Sequence, residues 1–226
     1  AILSACGTNG LVSPTSDAVI AAEKNRAGGA IRDFALTAAP GTADLGGRTV
    51  ATWMFGDQLG GPGIRASAGE RLRINVTNSL PEPTTIHWHG RMLRNDMDGV
   101  PHVTQPLIPS GGQFQYEYTV AEPGTHWFHP HHGTQLDRGL YAPMIIEDPA
   151  EPLAYDDEWV LVIDDWIDGT GTNPDQVLAE LGSGGHKMDH SAGGAWGGDV
   201  TYPYFLINGR RPQQPETKAA TPGQRI

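Results

Sequence analysis

The residues with the most chemistry in this chain are its histidines. Seven of the nine lie between His87 and His132, and four of those form two His-x-His pairs, His87-Trp88-His89 and His129-Pro130-His131. On a β-strand, residues i and i+2 point to the same face, roughly 6.5–7 Å apart. One pair puts two imidazoles on one side of a strand. Two pairs on neighbouring strands put four around a common space. Neutral imidazole suits Cu, Zn, Fe and Ni. Four of them, with no carboxylate or thiolate between, exceed the three-His set of a catalytic zinc and suit a site with more than one metal. A lone His-x-His is often only a strand with two surface histidines, so the argument rests on there being two pairs. His126 is out of phase with His129, and His132 with His131. Both are expected behind the ligands or at the surface. His102 follows Pro101 in a loop and is not expected to bind metal. Trp88 and Trp127 are expected to pack rather than to relay electrons.

Such pairs need strands to carry them. The 226 residues include 30 Gly and 18 Pro, a density of turn formers that disfavours a helical bundle and favours short strands. Alternating or β-rich runs stand at 31–39, 49–55, 71–77 and 114–120, with apolar runs at 140–147 and 158–163. Gly/Pro turns separate them, which predicts an all-β antiparallel sandwich or barrel. One helix is expected at 174–181, opened by Asn173 before Pro174 and closed by Gly182.

Composition narrows the class further. Hydrophobic residues are 38% of the chain, enough for a packed core. The net charge is −11, from 15 Lys+Arg against 26 Asp+Glu, the opposite of what a non-specific nucleic-acid binder needs. There is no run of about 18 apolar residues, so these residues contain no helical membrane span. Cys6 is the only cysteine, which excludes an intrachain disulfide and a Cys-based zinc site. Its context, Ala1-Ile2-Leu3-Ser4-Ala5-Cys6-Gly7, looks like the tail of an export signal ending in a lipobox. Cys6 would then be a lipid anchor; the other reading is an incidental Cys in a short apolar start. Residues 1–30 read as a leader and tether. Between Gly182 and Gly194 the chain is low in complexity. His186, Met188 and His190 there either hold Cu(I) or sit in a flexible loop.

One internal echo bears on domain organisation. Ser67-Ala68-Gly69-Glu70-Arg71-Leu72 is answered by Thr221-Pro222-Gly223-Gln224-Arg225-Ile226, with Gly69 and Gly223 154 residues apart. That spacing is about one domain. The chain stops as the second copy's strand would begin. The expectation is a fragment of a longer protein: a complete domain over 31–150, then a linker and the truncated start of a second over 151–226.

The motifs are specific when taken in order. Thr85-Ile86-His87-Trp88-His89-Gly90 comes first, then Asp98-Gly99-Val100-Pro101 with Thr104-Gln105, then Pro109-Ser110-Gly111-Gly112. Gly124-Thr125-His126-Trp127-Phe128-His129-Pro130-His131 and Gly139-Leu140-Tyr141-Ala142-Pro143-Met144-Ile145-Ile146 follow. Over 31–150 this series resembles the first cupredoxin domain of a three-domain, laccase-like multicopper oxidase. Phe205-Leu206-Ile207-Asn208-Gly209 resembles the opening of that family's second domain.

The resemblance implies a cupredoxin-like Greek-key sandwich followed by an incomplete second cupredoxin domain. It also implies copper. In the family, a type 1 copper takes electrons from a reducing substrate, and a trinuclear cluster reduces dioxygen to water. By motif position, His87 would bind type 2 copper, and His89, His129 and His131 the type 3 pair. The other four cluster ligands, and the His-Cys-His segment for type 1 copper, belong to the family's last domain and do not occur in these residues. Asp98 matches the position of a family acid, and a carboxylate there could relay the protons that dioxygen reduction consumes. The alternative for Asp98 is a turn-forming Asp-Gly; Asp96 is the second choice for the acid. The expected partners are dioxygen and a small reductant, a phenol, an aromatic amine or a metal ion. The expected location is the cell envelope or the extracellular space. The competing readings are a non-catalytic envelope copper-binding protein and a His-ligated zinc enzyme.

Overall fold

The computed structural model describes residues 17–26, 29–182 and 200–226. Cys6 and the His186–His190 stretch lie outside them. Strands β1 (Ile31–Asp44), β2 (Thr49–Phe55), β4 (Arg71–Asn78) and β6 (Gln113–Thr119) form one sheet, in the order β2-β1-β4-β6. Strands β3 (Ile64–Ser67), β5 (His87–His89), β7 (Gly124–His129) and β8 (Ala142–Glu147) form a second, in the order β3-β8-β7-β5. β1 runs parallel to β4, and β3 to β8; the other pairs are antiparallel.

Alternation explains how the sheets close on each other. In β4, Leu72, Ile74 and Val76 point inward and are buried, while Arg71 and Arg73 point outward and pair with Glu117 of β6. Opposite charges on facing strands favour that register. The interior is aromatic. Trp88 of β5 packs against Tyr116 and Tyr118 of the first sheet and Phe128 of β7, and Phe128 in turn meets Phe55. All five side chains are buried. Trp88 is thus a packing residue, as expected. Its inward direction fixes what its neighbours do: with period 2, His87 and His89 must face outward.

Two runs are longer or shorter than the sequence suggests. β1 extends from the expected 31–39 to Asp44, because it changes partner: Ile31–Ala38 pair with β4, and Ala38–Asp44 with β2. The apolar run 158–163 is not a strand along its length. Only its last residue opens β9 (Ile163–Trp166), which pairs with β10 (Tyr204–Ile207) as a separate two-stranded sheet. An apolar run becomes a strand only where a partner strand supplies the ladder. A second apolar cluster, with Leu45, Val50, Met54, Tyr141, Trp166 and Leu206, joins this small sheet to β2. The expected helix appears as α2 (Pro174–Gly182). Asn173 Oδ1 accepts from the Gln176 amide, and Gln176 Oε1 accepts from the Asn173 amide, a reciprocal capping box. A helix not expected from the sequence, α1 (Asp17–Arg26), precedes β1. Among the described residues no helix is long and apolar enough to cross a membrane.

Candidate metal centre

The two His-x-His pairs meet on the outer face of the second sheet. β5 and β7 are antiparallel neighbours, and their register sets His87 directly opposite His129. Pro130 has no N–H to donate, so β7 ends at His129. His131 therefore sits just past the strand end and still reaches the group. The His87 ring lies 5.6 Å from His89, 5.5 Å from His129 and 4.6 Å from His131, centre to centre. His129 lies 5.4 Å from His89 and 5.1 Å from His131. Side-chain nitrogens of His87, His89 and His129 all fall within 4.8 Å of one another.

The surroundings fix which nitrogens are free. His87 Nδ1 is 2.8 Å from the Asp98 backbone oxygen, and His129 Nδ1 is 2.9 Å from the Pro130 oxygen. A carbonyl only accepts, so both Nδ1 atoms carry the proton and both Nε2 atoms keep a lone pair. His89 Nδ1 stands 3.1 Å from His129 Nε2. Burial pushes the His129 imidazole down to about 4, against the pull of the Pro130 carbonyl, with the neighbouring imidazoles adding to the effect. His131 is lowered too, first by burial and then by His87. Both rings are therefore neutral at pH 7, the form that ligates metal.

The remaining expected residues fall into place around this face. Asp98 follows a short 3-10 turn (Asn95–Met97) and brings its Oδ1 to 3.3 Å from His87 Nδ1. Gly99, at φ +77°, lies so close behind Ile86 that a Cβ there would sit 1.8 Å from the Ile86 oxygen. Asp98 thus occupies a tight turn and touches a cluster histidine. Asp96 bonds to Arg94 instead, with Arg94 Nε 3.0 Å from Oδ1. His126 faces away from the other rings, its Nε2 2.8 Å from the buried Arg91 guanidinium. His132 is half-buried, and His102 sits in a turn at φ +63°.

Known proteins decide the family. The multicopper oxidase family profile matches residues 37–151. The chain belongs to the multicopper oxidase family. Multicopper oxidase MmcO of Mycobacterium tuberculosis is 46% identical over 204 residues, which cover 84% of this chain and 40% of that protein. Laccase-1 of Cryptococcus neoformans is 33% identical, covering 79% and 28%. The crystal structure of a multi-copper oxidase from Pseudomonas thermotolerans superposes with a TM-score of 0.67 at 32% identity, covering 81% of this chain and 42% of that one. The chain spans less than half the length of these relatives, and its fold is the cupredoxin fold of multicopper oxidases.

The donor set fits the family's metal. Imidazole is a ligand of choice for copper, and two of the rings are already held in one tautomer by carbonyls, as metal-binding histidines usually are. Two nitrogens 3.1 Å apart can both reach one ion at the roughly 2.0–2.1 Å typical of a metal–imidazole bond.

Sequence reasoning missed one member of this face. Trp127 lies flat against both His89 and His129, with ring centres 4.9 Å and 4.2 Å away. The signal was present: Trp127 is two residues before His129, and so shares its face.

Proposed function

We propose that this chain supplies half the ligands of a trinuclear copper cluster in a multicopper oxidase. His87 holds type 2 copper, and His89, His129 and His131 hold the type 3 pair. The single observation that carries the reading is the convergence of these four imidazoles on one face. Copper, when bound, takes electrons from the reductant and delivers them to dioxygen. The chain's own residues ligate and orient. Asp98 and Pro130 turn the His87 and His129 rings through their carbonyls, and the Asp98 carboxylate beside His87 holds and passes a proton.

The other cluster ligands and the type 1 site come from a further cupredoxin domain. Residues 31–150 form the first domain, and 151–226 are a linker and the start of the second. Ile163, Phe205 and Ile207 support this division, because they expose a large apolar surface on the β9–β10 sheet that a completed domain would cover. The reducing substrate is a phenol, an aromatic amine or a metal ion. The protein is exported, with Cys6 as the lipid anchor where the leader is of lipoprotein type.

Oxygen uptake tests the reading. Full-length protein loaded with copper should consume dioxygen with a phenolic reductant, and residues 1–226 loaded in the same way should not. Four imidazoles cannot hold all the metals that a multi-electron reduction needs. Turnover by residues 1–226 alone would contradict the ligand count.

A further inference from the structure

Four positions form a square on the outer face of β5 and β7. His87 stands opposite His129, and His89 stands opposite Trp127. Three corners are imidazoles and the fourth is an indole. The indole plane is inclined 28° to the His89 ring and 27° to the His129 ring, stacked on both. One flat face thus backs the two rings whose facing nitrogens are 3.1 Å apart.

Trp127 is itself well fixed. Its backbone lies between His89 of β5 and Pro143 of β8. Its side chain is half-buried and packs against the second apolar cluster. The carbonyls that turn His87 and His129 act through hydrogen bonds. At His89 the ring meets the indole face instead. An imidazole free to swing would lose that freedom when it binds metal, so a surface that holds it beforehand strengthens binding.

We propose that Trp127 is a positioning residue of the copper centre, holding the His89 and His129 rings in their ligating orientation. The inference rests on the copper reading above and adds a residue to it. Trp127 does not ligate or react; it acts through the two histidines.

Two variants of the full-length protein separate positioning from packing. Trp127→Phe keeps a flat ring. Trp127→Met keeps apolar bulk against the second cluster and loses the face. Each is loaded with copper and challenged with a chelator, while the type 3 absorption is followed and thermal unfolding of the metal-free form is recorded. Positioning predicts about tenfold faster copper loss for Trp127→Met and a change within about threefold for Trp127→Phe, the scale expected for aromatic stacking. Wild-type rates in both variants, or losses that follow thermal stability alike in both, would overturn the inference. Should Trp127→Met not fold, NMR of the metal-free wild type and Trp127→Phe decides. The His89 and His129 ring protons should be displaced upfield by the indole and move in Trp127→Phe; undisplaced protons would overturn it. A wild-type protein that binds no copper would contradict the copper reading instead, and the ring-proton shifts would still settle the stacking.

Discussion

His87 and Asp98 meet twice. The His87 Nδ1 proton points at the Asp98 backbone oxygen, 2.8 Å away, and the Asp98 carboxylate stands 3.3 Å from the same nitrogen. The first contact fixes the tautomer that leaves Nε2 free for metal. The second puts an acid within reach of a histidine of the converging group. The two contacts use different atoms, so they can be separated by substitution.

Asp98→Asn keeps the backbone oxygen and removes the acid. Copper content should stay at the wild-type level, while steady-state dioxygen reduction slows by about 10²-fold or more, the typical contribution of a positioned acid or base. Reduction of type 1 copper by the substrate should be unchanged. Wild-type turnover across pH would remove Asp98 from proton transfer.

Gly99→Ala attacks the same turn through the backbone. The position combines φ +77° with a Cβ site 1.8 Å from the Ile86 oxygen, so an added methyl must displace the strand that carries His87. Urea titration of the metal-free chain should show a loss of about 2 kcal/mol or more. Stability equal to wild type would mean that the turn is looser than its geometry implies.

Much of this site was legible in the sequence, and the reasons are local. The spacing of His87 and His89 forces one face once Trp88 is buried, because the side-chain period of a strand is 2. The limits of β2 were fixed by Thr49 and by the Gly56-Asp57 turn. What could not be read came from pairing. The length of β1 depends on its change of partner at Ala38, and 158–162 forms no ladder because Val160 and Val162 bond to the side chain and amide of the single residue Asn208 rather than to a strand. The stack of Trp127 on His89 needs the β5–β7 register, which no local pattern states. Asp98 ranks ahead of Asp96 in sequence only through its match to the Asp-Gly motif; the pairing of Asp96 with Arg94 and the contacts of Asp98 with His87 supply the physical reason.

Asp164 gives a pH signature unrelated to the metal. Burial pushes its carboxyl up to about 6, with Asp165 and Asp137 adding to the effect and the Tyr141 hydroxyl opposing it. In the unfolded chain it titrates near about 4. Between those values the folded state binds the extra proton. The stabilising contribution is therefore complete below about pH 4 and lost as pH rises through about 6. Asp164→Asn keeps an oxygen acceptor for the Tyr141 hydroxyl and lacks this titration. Relative to wild type, the variant should gain up to about 2 kcal/mol between pH 4 and pH 7 in urea titrations. Parallel pH curves for the two proteins would mean that Asp164 titrates normally.

The central claim is that the four converging imidazoles are copper ligands, and copper per chain measures it most directly. Full-length wild type and a variant carrying His89→Ala with His131→Ala are loaded under the same conditions, freed of loose metal and analysed for copper, with the type 3 absorption recorded alongside. The variant should lose the type 3 absorption and the copper of that pair while keeping its type 1 copper. Unchanged copper content and an intact type 3 absorption in the variant would contradict the claim.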